Sequence, residues 1–252
     1  MTGTGMALHH RKTSRPERPA ARRPAGPWKH GSIPVIGLVG GIGGGKSRVA
    51  GELAARGAFV LDADAVGHAL LTQRHVRDRV VRRFGDAILD KSPAAEGEPA
   101  IDRRTLGAIV FSSPAALADL ESILHPAMRR TFERAIARTV RKGRAPAIVL
   151  DAAILFEAGW DSLCDRVVFV DAPRGLRLAR LSAQRGWTDE TLAARERAQM
   201  PLDEKRRRAD AVVTNDSGPD KVTAEVERLW NTLLNPSRAP KGGGQSIGSS
   251  LS

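Results

Sequence analysis

Eight consecutive residues, Gly40-Gly41-Ile42-Gly43-Gly44-Gly45-Lys46-Ser47, constrain this chain more than anything else in it. They fit Gly-x-x-x-x-Gly-Lys-Ser/Thr, follow the apolar run 33–39 and lead into a helical pattern, the strand–turn–helix context the motif requires. Without Cβ atoms a backbone can curl until consecutive N–H groups point at one phosphate, and the helix that follows adds its partial positive charge. Lys46 then reaches β- and γ-oxygens, and the Ser47 hydroxyl ligates Mg²⁺ beside the nucleotide. A flexible glycine turn, or a dinucleotide turn of the Gly-x-Gly-x-x-Gly kind, would leave the Lys-Ser pair unexplained. No Asn-Lys-x-Asp guanine-reading motif occurs, which disfavours a GTPase.

The rest of the chain is organised around that turn. Short apolar runs at 33–39, 58–61, 147–150, 166–170 and 211–214 lack polar alternation, as strands covered on both faces of a parallel sheet do. Helical patterns follow, most clearly at 46–56, 174–185 and 219–234. The alternation predicts an α/β fold with a doubly wound parallel sheet of five strands. Residues 65–145 contain no strong strand, and Ser113-Pro114 and His125-Pro126 punctuate several helical patterns there. This interval reads as a helical insertion between the second and third strands. Residues 1–31, rich in Arg, Pro, Gly and His, read as a disordered basic extension. The folded domain is expected over 32–235, and the tail 236–252 is expected to be structureless.

The net charge of +12 invites a nucleic-acid reading, but its distribution argues against one. Residues 1–32 hold seven Lys/Arg against one Glu, and 236–252 hold two against none, so most of the excess lies at the ends. Within the body, 65–145 carries 15 basic and nine acidic residues. That excess is either a solvated surface or a surface for a polyanionic small molecule. Aromatic residues make up only 4%, too few to offer stacking platforms for single-stranded nucleic acid. No apolar run is long enough to span a membrane, and no secretory h-region opens the chain. A single cysteine, Cys164, allows no intramolecular disulfide and no multi-cysteine metal site, which suits a reducing cytoplasm.

Asp62-Ala63-Asp64 closes the second strand, on the edge of the sheet where ligands sit. One carboxylate of the pair would take a proton from an attacking hydroxyl and one would serve Mg²⁺. Both positions also suit an aspartate helix cap, and helix onset would separate them. Asp151 closes the third strand and is a further metal neighbour, or an ordinary strand-end residue. Phe84, Phe111 and Phe132 read as core.

With these residues on the page, 33–234 resembles the dephospho-coenzyme A kinases, a family of P-loop small-molecule kinases. The resemblance runs through Gly37 to Gly43, Asp62-Ala63-Asp64, Ile101-Asp102-Arg103-Arg104 with Leu106, Val110-Phe111, and Leu124-His125-Pro126. It continues through Leu155-Phe156-Glu157, Gln184-Arg185, Gln199-Met200-Pro201, Lys205, Ala209-Asp210 and Asn215. It implies transfer of the ATP γ-phosphoryl group to the ribose 3′-hydroxyl of dephospho-coenzyme A, the last step of coenzyme A synthesis. It implies ATP and Mg²⁺, a helical substrate-binding insertion at 65–145, and a helical lid at 174–208. Asp64 is then the catalytic base. Lys46, Arg180 and Arg185 surround the migrating group, with the two arginines on one helix face. Gly41, Ile42, Gly43, Gly44, Gly45, Lys46, Ser47 and Arg48 bind the nucleotide, and Ser47 and Asp64 face the metal. His68 and His125 either touch substrate or pack. A monomer or weak homo-oligomer, working on a small molecule without nucleic acid or membrane, is the expected assembly.

Two departures from the family pattern stand out. Arg48 replaces the usual Thr after the loop serine, where the backbone N–H is what phosphate uses. Ala153-Ile154-Leu155 replaces Pro-Leu-Leu before Phe156-Glu157, which puts a role for Ile154 in doubt. The first 31 residues have no counterpart in the pattern, and a translation start further along is one explanation. Two other readings use the same loop: another nucleoside or nucleotide monophosphate kinase, and a non-enzymatic nucleotide switch or scaffold.

Overall fold

The computed structural model describes residues 27–90 and 99–234. The extension up to residue 26 and the tail from 235 lie outside the described residues.

Five strands form one parallel sheet: β1 (Val35–Gly40), β2 (Phe59–Asp62), β3 (Ile148–Asp151), β4 (Arg166–Asp171) and β5 (Ala211–Thr214). Their order is β2-β3-β1-β4-β5, so the chain leaves central β1 in one direction and later builds in the other. The switch point is the C-terminal end of β1, where open sheets of this kind hold ligands. Each strand falls within two residues of its sequence-predicted bounds.

The missing polar alternation has a direct cause. Ile33, Val35 and Val39 enter one hydrophobic core while Ile36 and Leu38 enter the other, so both faces of β1 are covered. Gly37 is required by crowding, since a Cβ there would stand 2.6 Å from Leu155 Cδ2 and 2.9 Å from Cys164 Sγ.

Helix α1 (Lys46–Ala55) and the C-terminal helix, α9 (Pro219–Leu233), cover one face. The other face carries the insertion: α2 (Ala63–Leu71), α3 (Arg74–Phe84), α4 (Arg103–Ser112) and α5 (Pro114–Lys142). Local chemistry sets these starts. Asp102 accepts hydrogen bonds from the Arg104 and Thr105 backbone, and Ser113 caps α5 ahead of Pro114 at its first turn. The segment expected to form a lid folds as α6 (Arg174–Arg185), α7 (Asp189–Arg197) and α8 (Leu202–Arg208).

Two sequence expectations need correction. Pro126 does not divide the insertion's helical pattern; it lies inside the 29-residue α5. The buried positions Ile123, Ala127, Met128, Phe132 and Ile136 continue across it, and their packing outweighs the one backbone hydrogen bond that proline removes. The ordered chain also starts before residue 32. The Lys29 backbone N–H donates to Asp165 Oδ1 at 2.7 Å, and His30 Nε2 bonds the Leu163 carbonyl at 2.8 Å.

Candidate active site

The loop between β1 and α1 is shaped by two left-handed glycines, Gly43 (φ 74°) and Gly45 (φ 89°). Space as well as conformation excludes a side chain at Gly45, because a Cβ would meet Asn215 Nδ2 at 2.0 Å. That amide donates to the Gly44 carbonyl at 2.8 Å and holds the turn from β5. No side chain caps α1, so its leading N–H groups remain for a ligand.

One cleft of about 1520 Å³ contains Ile42, Gly43, Gly44, Gly45, Lys46, Ser47 and Arg48 together with Asp64, Arg180 and Arg185. It exceeds the roughly 300–1,000 Å³ of an ordinary small-molecule site and has room for two substrates. Gly41, expected with the others, is not on the cleft wall. It lies beneath the Arg177 guanidinium, whose Nη1 would be 2.9 Å from a Cβ there.

Helix onset separates the two aspartates. Asp62 caps α2 by accepting from the Ala65 N–H at 3.0 Å, and Asp64, inside the first turn, lines the cleft. Asp151 stands in register with both Leu38 of β1 and Asp62 of β2. Burial pushes its carboxyl up to about 6; Lys46 opposes that shift, and the negative charges of Asp62 and Asp64 add to it. Lys46 faces the same three carboxylates. Burial lowers its ammonium pKa, with Asp151, Asp64 and Asp62 pulling the other way.

The lid contributes two kinds of arginine. Arg177 is 3% exposed and structural: it donates to the Ala172 and Ile42 carbonyls and pairs with Glu196 of α7 at 2.5 Å. Arg180 donates through Nη2 to the Asn215 carbonyl (3.2 Å) and to Asn215 Oδ1 (3.3 Å). Its Nη1 is buried and has no hydrogen-bond partner, an orphaned donor beside the glycine turn, as a phosphate site requires. Five residues of helix advance about 140°, so Arg180 and Arg185 do not share a face. Arg185 reaches the cleft because it ends α6, with its guanidinium 5.6 Å from the Trp187 ring centroid.

The insertion and the segment after β3 add apolar residues to the cleft lining, among them Val110, Phe111, Leu117, Met128, Ile154 and Trp160. Phe132 is core as expected, and Phe84 packs against the core from a partly buried position. Phe111 is not core: it is 59% exposed, because it stands in the last turn of α4 at the cleft rather than under it. Neither His68 nor His125 lines the cleft; His125 packs edge-on against Trp160, centroids 5.2 Å apart. Lys205 is fully buried, pairs with Glu157 at 2.8 Å and donates to the Ala153 carbonyl at 2.6 Å. Glu157 also accepts from the Met200 N–H, so this cluster fastens the end of the lid to the segment after β3.

Sequence reasoning missed Arg177, which is buried with Leu181, one helical turn further along α6. Among the described residues no cluster of three or more His, Cys, Asp or Glu is arranged to hold a metal alone. Mg²⁺ enters such sites on substrate phosphates with one or two protein oxygens, and Ser47 and Asp64 on one cleft wall fit that requirement.

The sequence model of the dephospho-CoA kinase family matches residues 34–221. A dephospho-CoA kinase of Symbiobacterium thermophilum is 41% identical over 219 residues, covering 86% of each chain. That of Anaeromyxobacter dehalogenans is 40% identical over 200 residues, 79% of this chain and 92% of its own length. A solved structure from Thermus thermophilus superposes with TM-score 0.68 at 34% identity, covering 81% of this chain and 98% of that one.

Proposed function

Because the chain belongs to the dephospho-CoA kinase family, we propose that its cleft holds ATP on the glycine turn and dephospho-CoA against the insertion. The family reaction moves the γ-phosphoryl group of ATP to the ribose 3′-hydroxyl of dephospho-CoA and yields coenzyme A. The observation that carries the assignment is one cleft lined by the glycine turn, Lys46, Asp64 and Arg180.

Asp64 is the base. Asp62 spends its side chain on the α2 cap, and Asp151 is drawn toward its protonated form by burial, which leaves Asp64 facing the cleft. Its carboxylate takes the proton of the 3′-hydroxyl as the oxygen attacks phosphorus in line with the leaving β-phosphate oxygen. Lys46 contacts the β- and γ-oxygens. The free Arg180 Nη1 receives a phosphate oxygen, placing positive charge where it gathers in the transition state. Arg185 adds charge from the lid edge. Mg²⁺ bound with ATP would supply charge neutralisation to the transferring phosphates, and Ser47 and Asp64 are the residues that would hold it.

Coverage of the family pattern from the glycine turn through the lid separates this reading from a nucleotide switch or another monophosphate kinase. A cytoplasmic location belongs to the same proposal, supported by a single buried cysteine with no partner to oxidise. The test is an ATP-consumption assay run with and without dephospho-CoA, the product identified by mass. Consumption that depends on dephospho-CoA and yields its 3′-phosphate is expected. Binding of ATP without that product would overturn the assignment.

A further inference from the structure

Arg195 projects from α7 onto the cleft wall, partly buried. Its guanidinium carbon lies 4.3 Å from the Phe111 ring centroid and 4.5 Å from that of Trp187. Phe111 lies in the last turn of α4 in the insertion, while Trp187 follows α6 of the lid, so the two rings come from different arms of the cleft. Ring contact occupies the flat face of a guanidinium and leaves its N–H edge to bond elsewhere.

No carboxylate answers that edge among the described residues. Five other lid arginines have carboxylate partners: Arg174 with Asp189, Arg177 with Glu196, Arg206 with Asp171, Arg207 with Glu204 and Arg208 with Asp161. Burial lowers the Arg195 pKa, and the one charged group acting on it, the cation Arg185, adds to that shift. A partly buried cation beside a second cation, both on a cleft wall, marks the seat of an anion. The exposed Phe111 has a reason on the same account, since its ring supports this guanidinium at the rim.

The position tells the two anions of the reaction apart. Donor phosphates belong to the glycine turn, Lys46 and the Asn215-bound Arg180. Arg195 instead touches the insertion, the acceptor's side of the cleft. We infer that Arg195, positioned by Phe111 and Trp187, binds the pyrophosphate of the acceptor and so selects dephospho-CoA over nucleosides lacking that group. This rests on dephospho-CoA being the acceptor. Because Phe111 and Trp187 come from different arms, the seat is complete only with α7 drawn against α4.

The test uses the full chain and the variants Arg195→Gln, Arg195→Lys and Phe111→Leu, with each substrate varied separately and adenosine as an acceptor lacking pyrophosphate. Loss of a hydrogen bond to a charged group predicts a KM for dephospho-CoA raised about 10- to 100-fold in Arg195→Gln, with the KM for ATP unchanged. Turnover of adenosine is unaffected, so selectivity falls by the same factor. Arg195→Lys keeps charge but not the stacked plane and recovers only part of the loss. Phe111→Leu raises the same KM, more weakly, without moving the unfolding temperature. An unchanged acceptor KM in Arg195→Gln, or a rise in the ATP KM instead, overturns the inference while an active wild type leaves the kinase assignment standing. A wild type that makes no coenzyme A overturns both.

Discussion

Lys205 and Glu157 form an ion pair with unequal ends: the lysine side chain is 0% exposed and the glutamate 23%. The two possible truncations should therefore differ in cost. In Glu157→Ala the buried ammonium keeps only the Ala153 carbonyl (2.6 Å) and a long bond to Gln199 (3.4 Å). Breaking a buried pair from one side costs roughly 3–5 kcal/mol. Water entering by way of the exposed end reduces this to about 2–4 kcal/mol, close to the penalty of an underbonded charged group. In Lys205→Met a flexible apolar chain fills the channel, and Glu157 stays hydrated and bonded to the Met200 N–H at 2.9 Å. The loss is then about 1–2 kcal/mol, chiefly the unanswered Ala153 carbonyl. For a body of this size each kcal/mol lowers Tm by about 2–4 °C. The double variant should be no less stable than Glu157→Ala, since removing the lysine removes the stranded charge. Urea titration of the four proteins, monitored by circular dichroism, measures the cycle. Lys205→Met costing more than Glu157→Ala would refute the reasoning.

Asp64→Asn should lower kcat by about 10²–10⁴-fold and spare ATP affinity; wild-type turnover would remove Asp64 from the base's role. Lys46→Ala should abolish phosphoryl transfer with an unchanged circular dichroism spectrum, because its side chain answers to ligand charge more than to packing. Burial holds the Cys164 thiol near 12, so a thiol reagent at neutral pH should label the native chain only as fast as it opens, and the urea-unfolded chain at once. Burial lowers the His125 pKa below its ordinary 6.5, so the unfolded chain binds the proton first and stability falls as pH drops below that value. His125→Gln should flatten that decline in denaturant titrations at a series of pH values.

Much of the scaffold was legible because parallel strands buried on both faces leave an uninterrupted apolar record, as 35–39 and 167–170 do. The glycine turn and the position of Asp64 on the cleft were legible because both are local, a strand end running into a helix start. Pro126 misled because a proline's local preference says nothing of the packed face that carries α5 past it. Phe111, Arg177 and Arg195 were illegible or misread for one reason: each takes its meaning from a partner far along the chain. Arg177 depends on Ile42 and Glu196, and Arg195 on the meeting of a lid helix with an insertion helix. Asp62 and Asp64 look alike in sequence, and only the onset of α2 gives one to a backbone N–H and the other to the cleft.

The Asp165 carboxylate takes the Lys29 N–H on one oxygen and the Val35 N–H on the other, so a single side chain fastens the approach to β1 and its first residue together. A shortened protein beginning at Ile33 would give up that clasp, the His30 tether and the Arg166–Trp28 stacking at once. One beginning at Pro27 would keep all three, and is the better starting material for crystals or for an affinity handle.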